Sequence, residues 1–155
     1  MTAKETPAIR ALRSAGVAFS VHEYAHDPRA ESYALEAAAA LALDPAVVFK
    51  TLVVDLDGRL AVCLIPSGDQ LDTRALGKRA ALADAQRAER VTGYVTGGIS
   101  PVGQRRRLPT LIDASALAHP EIYVSAGRRG LEIALAPADL IAVTGAQTRP
   151  LRRAA

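Results

Sequence analysis

The chain has 155 residues, half of them hydrophobic, which suits one domain around one core. Aromatics make up 4% and Trp is absent, so the core must be built mostly from Ala, Val, Leu and Ile. A net charge of +3 and a pI near 9.3 permit a polyanionic partner without demanding one, and a single cysteine excludes an internal disulfide and a cysteine-rich zinc site.

That cysteine, Cys63, lies inside LAVCLIP and reads as a small buried hydrophobe in a reducing compartment. The opening MTAKETPAIR lacks the apolar run of a signal peptide. The longest apolar stretch, AAAALAL, is about half of what a bilayer span needs. The expectation is a soluble, cytoplasmic protein with no membrane partner.

Thr6-Pro7 predicts a helix start, a capping hydroxyl before a proline, with Ile9 and Leu12 on the apolar stripe and Gly16 as the stop. VAFSVHEY alternates through Val17, Phe19 and Val21 and reads as a strand. HDPRAES is a polar loop, and residues 33–43 are helical by propensity. Asp44-Pro45 starts a short helical turn. FKTLVVDLDGRLAVCLIPS is a hairpin about Asp57-Gly58. LDTRALGKRAAL reads as a helix opening at Asp72 or Thr73, and Asp84 caps another that ends near Gly93. LPTLIDAS, EIYVSAG and LEIALA are short strands, the last two joined by a turn over residues 126–130. APADLIAVTG is a closing helix between Pro137 and Gly145, and the basic tail TRPLRRAA reads as loose. The mixture of hairpins and helices predicts an α+β fold: a mixed, mostly antiparallel sheet curled like a barrel, with helices around it.

Four features bear chemistry. Lys50 shares a strand face with Leu52 and Val54, so it either snorkels to water or points into a pocket. Glu132 lies on the face of LEIALA opposite Leu131, Ile133 and Leu135, where the local pattern favours solvent. Ser125 ends a strand before a glycine turn, where a turn-forming role competes with a pocket role. Gly97-Gly98, within GYVTGGISPVGQRRR, offers adjacent bare amides able to approach a ligand and donate to an oxyanion. Arg105, Arg106 and Arg107 in the same stretch fit a solvated run or phosphate contacts equally well. His22, His26 and His119 have no metal-ligand spacing, and neither a phosphate-binding loop nor a dinucleotide fingerprint is present.

Taken together, GYVTGGISPVGQRRRLPTLID, IYVSAGRRGLEIALAPADL, VFKTLVV and VHEYAHDP closely resemble the YbaK/EbsC family of aminoacyl-tRNA deacylases, nearest to its Cys-tRNA(Pro) deacylase branch. The likeness runs over residues 6–140. Four motifs in the same order make it specific, where each alone would be weak.

The resemblance implies a barrel-like mixed fold related to the editing domain inserted in bacterial prolyl-tRNA synthetases. It implies hydrolysis of the ester joining a wrong amino acid, here cysteine, to tRNA(Pro). Prolyl-tRNA synthetase makes that error because an apolar pocket rejects a near-isostere poorly. By the same resemblance Lys50 holds the substrate near the ester, Tyr24 forms a pocket wall, and Gly97 turns its backbone to the substrate with Gly98 beside it. Ser125 matches a pocket serine, and Glu132 stands where the branch carries Asp. No metal, cofactor or protein nucleophile is implied; water or the substrate's own thiol attacks. The implied partners are mischarged tRNA(Pro), approached by Arg105, Arg106 and Arg107, and prolyl-tRNA synthetase. The competing readings are a deacylase for another small residue such as alanine, and a non-catalytic module that binds tRNA or the synthetase.

Overall fold

The structure is a computed structural model that describes residues 5–153. Met1 and the following three residues of the opening segment, and Ala154 and Ala155 of the tail, lie outside the described residues. Local capping signals act as the sequence predicts. Thr6 accepts a hydrogen bond from the Ile9 N–H at 3.2 Å and starts α1 (Pro7–Ser14), which buries Ala8, Ile9 and Leu12. β1 (Ser20–Glu23) is shorter than the predicted strand. Ser32 caps α2 (Tyr33–Ala40), and Ala42, at φ +56°, turns the chain before Leu43 can extend the helix. Asp44 caps a single turn, Pro45–Val47.

β2 (Phe49–Leu56) and β3 (Arg59–Pro66) form the expected hairpin, with Asp57 and Gly58 both at positive φ, as a tight two-residue turn requires. The helix predicted from Asp72 does not form. Asp72 caps one turn, Thr73–Ala75, and the chain then becomes β4 (Ala80–Leu82), paired with Val54, Asp55 and Leu56 of β2. An edge of β2 left unpaired by the hairpin outweighs the helix propensity of an alanine-rich segment. α3 (Ala85–Thr92) starts on Asp84 and ends on left-handed Gly93 as expected. β5 (Thr110–Asp113), β6 (Ile122–Ser125), β7 (Leu131–Leu135) and α4 (Pro137–Thr144) also lie where the sequence puts them.

The tail is not loose. It forms β8 (Gln147–Arg149) and buries Leu151 completely. Asp113 accepts from the Leu151 N–H at 2.8 Å and pairs with Arg152 at 3.2 Å, while the Asp72 N–H donates to the Leu151 carbonyl. Burial alone would raise the Asp113 pKa, but hydrogen bonds from Ser115 and Leu151, with the Arg152 charge, hold it below the usual range.

The strands make two sheets, β1-β7-β6 and β4-β2-β3-β5-β8, which meet at one parallel bridge between Val48 and Tyr123. Pairing is mostly antiparallel; β5 runs parallel to both β3 and β8. The sheets do not close into the expected barrel. β4 covers β2 only from Val54 to Leu56, so on the edge of β2 away from β3 no strand is laddered between that point and the Val48 bridge. The main core lies between the small sheet, α1, α4 and β5, and includes Leu12, Phe49, Ile112, Ile133 and Leu140. Cys63 belongs to a second cluster with Ile65, Leu71 and Leu151; burial pushes its thiol up to about 11. Among the described residues no helix is long and apolar enough to cross a membrane.

Candidate active site

Strand register brings distant parts of the chain into one row. The bridge sets Val48 against Tyr123, in parallel, so two residues further on Lys50 comes alongside Ser125. Ser125 pairs with Glu132, and Glu132 with His22. Residues opposite one another in neighbouring strands share a face, so the four side chains form a line. The other face of the same strands is the main core.

The row ends in a cavity of about 480 Å³, lined by Lys50, Thr51, Ser125, Glu132, Tyr33 and Gly97 among others. That is ample for a small aminoacyl ester and its sugar. It opens along the edge of β2 that faces away from β3, ahead of its pairing with β4.

Glu132 is 6% exposed, against the solvent-facing position its local pattern suggests. α2 explains this: Ala37 and Ala38 pack with Val48, Tyr24 and Tyr123 over that side of the sheet. Burial pushes the Glu132 carboxyl up to about 8. Among the described residues it has no hydrogen-bond or ion-pair partner. Lys50 is half-buried and lines the cavity. Burial lowers its pKa, and the charge of Asp69 opposes that by favouring the ammonium. Ser125 does both things the sequence allows: its Oγ accepts from the Gly127 N–H at 3.2 Å, and it lines the cavity.

Gly97 sits at φ +88° against the Tyr33 ring, where an added Cβ would lie 2.8 Å from Cδ1. Its neighbour Gly98 is not on the cavity wall. The Gly98 N–H donates to the Val95 carbonyl at 2.8 Å, and its Cα packs on the backbone of Arg128. Tyr24 stands behind the wall: burial, then the nearby Glu132 charge, raise its hydroxyl to about 12. Arg105, Arg106 and Arg107 are exposed, and none lines the cavity. Arg105 folds over the end of α3, reaching the Arg90 carbonyl at 3.4 Å. Arg107 lies in a second, smaller cavity beside α4. Among the described residues none of the three pairs with a carboxylate. His22 bonds Ser20 and His26 bonds Glu36, so the two are held apart.

Tyr33, Thr51 and Arg129 escape the sequence reading. Tyr33 looks like the first residue of a helix and Thr51 like strand filler. Arg129 looks like a turn residue, yet its guanidinium lies 4.9 Å from the Tyr33 ring centre.

Residues 28–143 match the family model of the aminoacyl-tRNA editing domain, and the chain belongs to that family. It is 32% identical over 152 residues to a candidate Cys-tRNA(Pro)/Cys-tRNA(Cys) deacylase, EbsC, of Enterococcus faecalis, covering 94% of this chain and 92% of that one. It superimposes on a crystal structure described as a candidate trans-editing enzyme for prolyl tRNA synthetase with TM-score 0.86 and 27% identity, covering 99% of both chains. A structure described only as a hypothetical protein matches with TM-score 0.83 and 25% identity, over 96% of this chain and 100% of that one.

Proposed function

We propose that this protein hydrolyses the ester of mischarged tRNA in trans, with Cys-tRNA(Pro) as its substrate. The observation that carries the reading is the row of Lys50, Ser125 and Glu132 ending at Gly97 in one cavity. An aminoacyl ester is already activated, so it needs placement and charge stabilisation more than a nucleophile from the protein. The Lys50 ammonium and the Gly97 N–H face the ester carbonyl oxygen and stabilise the charge that develops there. The Glu132 carboxyl, buried and without a partner, is matched by the α-ammonium of the aminoacyl group; the two share one proton across a charge-assisted hydrogen bond. Water, or the thiol of the cysteinyl group, adds to the carbonyl carbon. The bond to the ribose oxygen then breaks, and that oxygen takes up the proton lost by the attacking group; on the thiol route the released cyclic thioester is opened by a water to give free cysteine.

Arg105, Arg106 and Arg107 present charge that no carboxylate among the described residues neutralises, which suits phosphates of the tRNA away from the ester. The net charge of +3 is modest and suits weak intrinsic affinity for tRNA; the family resemblance implies that discrimination among tRNAs is borrowed from a complex with prolyl-tRNA synthetase.

The test is deacylation of a panel of tRNAs mischarged with Cys, Ala or Ser, with and without the synthetase, by wild type and Lys50→Ala. Wild type should clear Cys-tRNA(Pro) fastest. The variant should lose about 100- to 1000-fold, the range for removing one oxyanion donor. An Ala preference would move the substrate to another small residue. Tight binding of the panel without hydrolysis would make the protein a binding module.

A further inference from the structure

The glycine wall of the cavity is held by two opposite charges. Glu89 of α3 accepts from the Thr96 N–H at 2.7 Å. That hydrogen bond and one from the Thr96 hydroxyl keep its carboxyl below the usual range, so it is an anion. On the other side the Arg129 Nε donates to the Thr96 carbonyl at 2.8 Å. Thr96 is therefore fixed at both ends.

The consequence falls on the next amide. A trans peptide points its N–H opposite to its C=O. With the Thr96 carbonyl turned to Arg129, the Gly97 N–H is turned away from it. That N–H has no acceptor among the described residues, although the following one, on Gly98, is bonded to Val95. Gly97 lines the cavity. The same guanidinium covers the Tyr33 ring, and a Cβ on Gly97 would lie 2.9 Å from the Arg129 Nε. Arg129 thus joins the cavity roof at Tyr33 to its wall at Thr96 and Gly97. A cation on the carbonyl also polarises the peptide and makes its N–H a better donor.

We infer that Arg129 is a positioning residue for the hydrolysis: it aims and strengthens the Gly97 N–H that meets the ester carbonyl oxygen, without touching the substrate itself. This rests on the deacylase reading above.

The experiment compares wild type, Arg129→Ala and Arg129→Lys on Cys-tRNA(Pro), after thermal melts confirm that each is folded. Arg129→Ala should lower kcat about 100-fold, as for a displaced oxyanion donor, with KM changed less than about 3-fold. Added guanidinium ion should restore part of that kcat and none of the loss in Lys50→Ala. Arg129→Lys should recover less than guanidinium, because an ammonium cannot stack on Tyr33 and donate in plane at once. An unchanged kcat, a loss confined to KM, or no rescue by guanidinium would overturn the inference. A second arm needs no turnover: the Gly97 amide resonance in ligand-free protein should move upfield in Arg129→Ala. A Gly97 amide identical in both proteins overturns the inference even in an active enzyme. Failure of wild type to hydrolyse any tRNA in the panel would instead remove the deacylase reading, with the amide arm still deciding whether Arg129 controls Gly97.

Discussion

The strands β6 and β7 carry two faces of opposite character. On one, Ile122, Val124, Leu131 and Ile133 are wholly buried and join Ile9, Leu12 and Leu140 in a single cluster. On the other lie Ser125 and Glu132, with Glu132 nearly as buried but alone. Burial of the first face removes methyl groups from water among similar neighbours and stabilises the fold. Burial of the second takes most of a carboxyl out of water with no partner for it among the described residues, which costs stability. The core face therefore holds in place a cavity face that is not itself stabilising.

The largest effect should come from the core face. Ile133→Ala deletes buried carbon with no room to collapse and should lower stability by about 2–5 kcal/mol, read from urea unfolding. The folded fraction should keep its kcat at low temperature. A kcat that falls in step with stability would mean that the two faces cannot be separated.

Glu132→Gln tests the other face, with a smaller effect on stability and the opposite sign. Its carboxyl moves from 4.5 to about 8 on burial, with His22, Ser125 and Tyr24 around it. Because the folded state holds the proton more tightly than the unfolded chain, its contribution is full below about pH 4.5 and is lost as pH rises through about 8. The wild-type Tm should drop across that window while the variant stays flatter. Parallel Tm curves for the two proteins would show that Glu132 ionises freely and that its burial is not costly.

The same contrast separates what the sequence reveals from what it hides. Thr6, Asp84, Gly93 and the Asp57-Gly58 turn were legible because each acts on neighbours a few residues away. The segment after Asp72 misleads because its partner is the far edge of β2, and the tail because its anchor is Asp113. The pattern within LEIALA puts Glu132 on the face opposite the core but cannot show that α2 covers it. In the site, Lys50, Gly97, Ser125 and Glu132 follow from family motifs and share the cavity. Tyr24 and Gly98, from the same motifs, stand just behind it. Tyr33 and Arg129 meet only through folding, across nearly a hundred residues, and the one local hint was an arginine pair set between Gly127 and Gly130.

The smallest effect sharpens the comparison most, because it lies on the border between the faces. Thr51 lines the cavity, yet its Oγ1 is fully buried and has no hydrogen-bond partner among the described residues. Valine has nearly the same shape and suits a strand equally well. Replacing an unsatisfied hydroxyl with a methyl should therefore raise stability by about 1 kcal/mol in Thr51→Val. If the hydroxyl belongs to the cavity's polar set, that gain should come with a loss of about 10-fold in kcat/KM, the value of one hydrogen bond to bound substrate. A stabilised variant with undiminished kcat/KM would place Thr51 with the core, and the boundary between packing and chemistry would then run along β2 between Lys50 and Thr51.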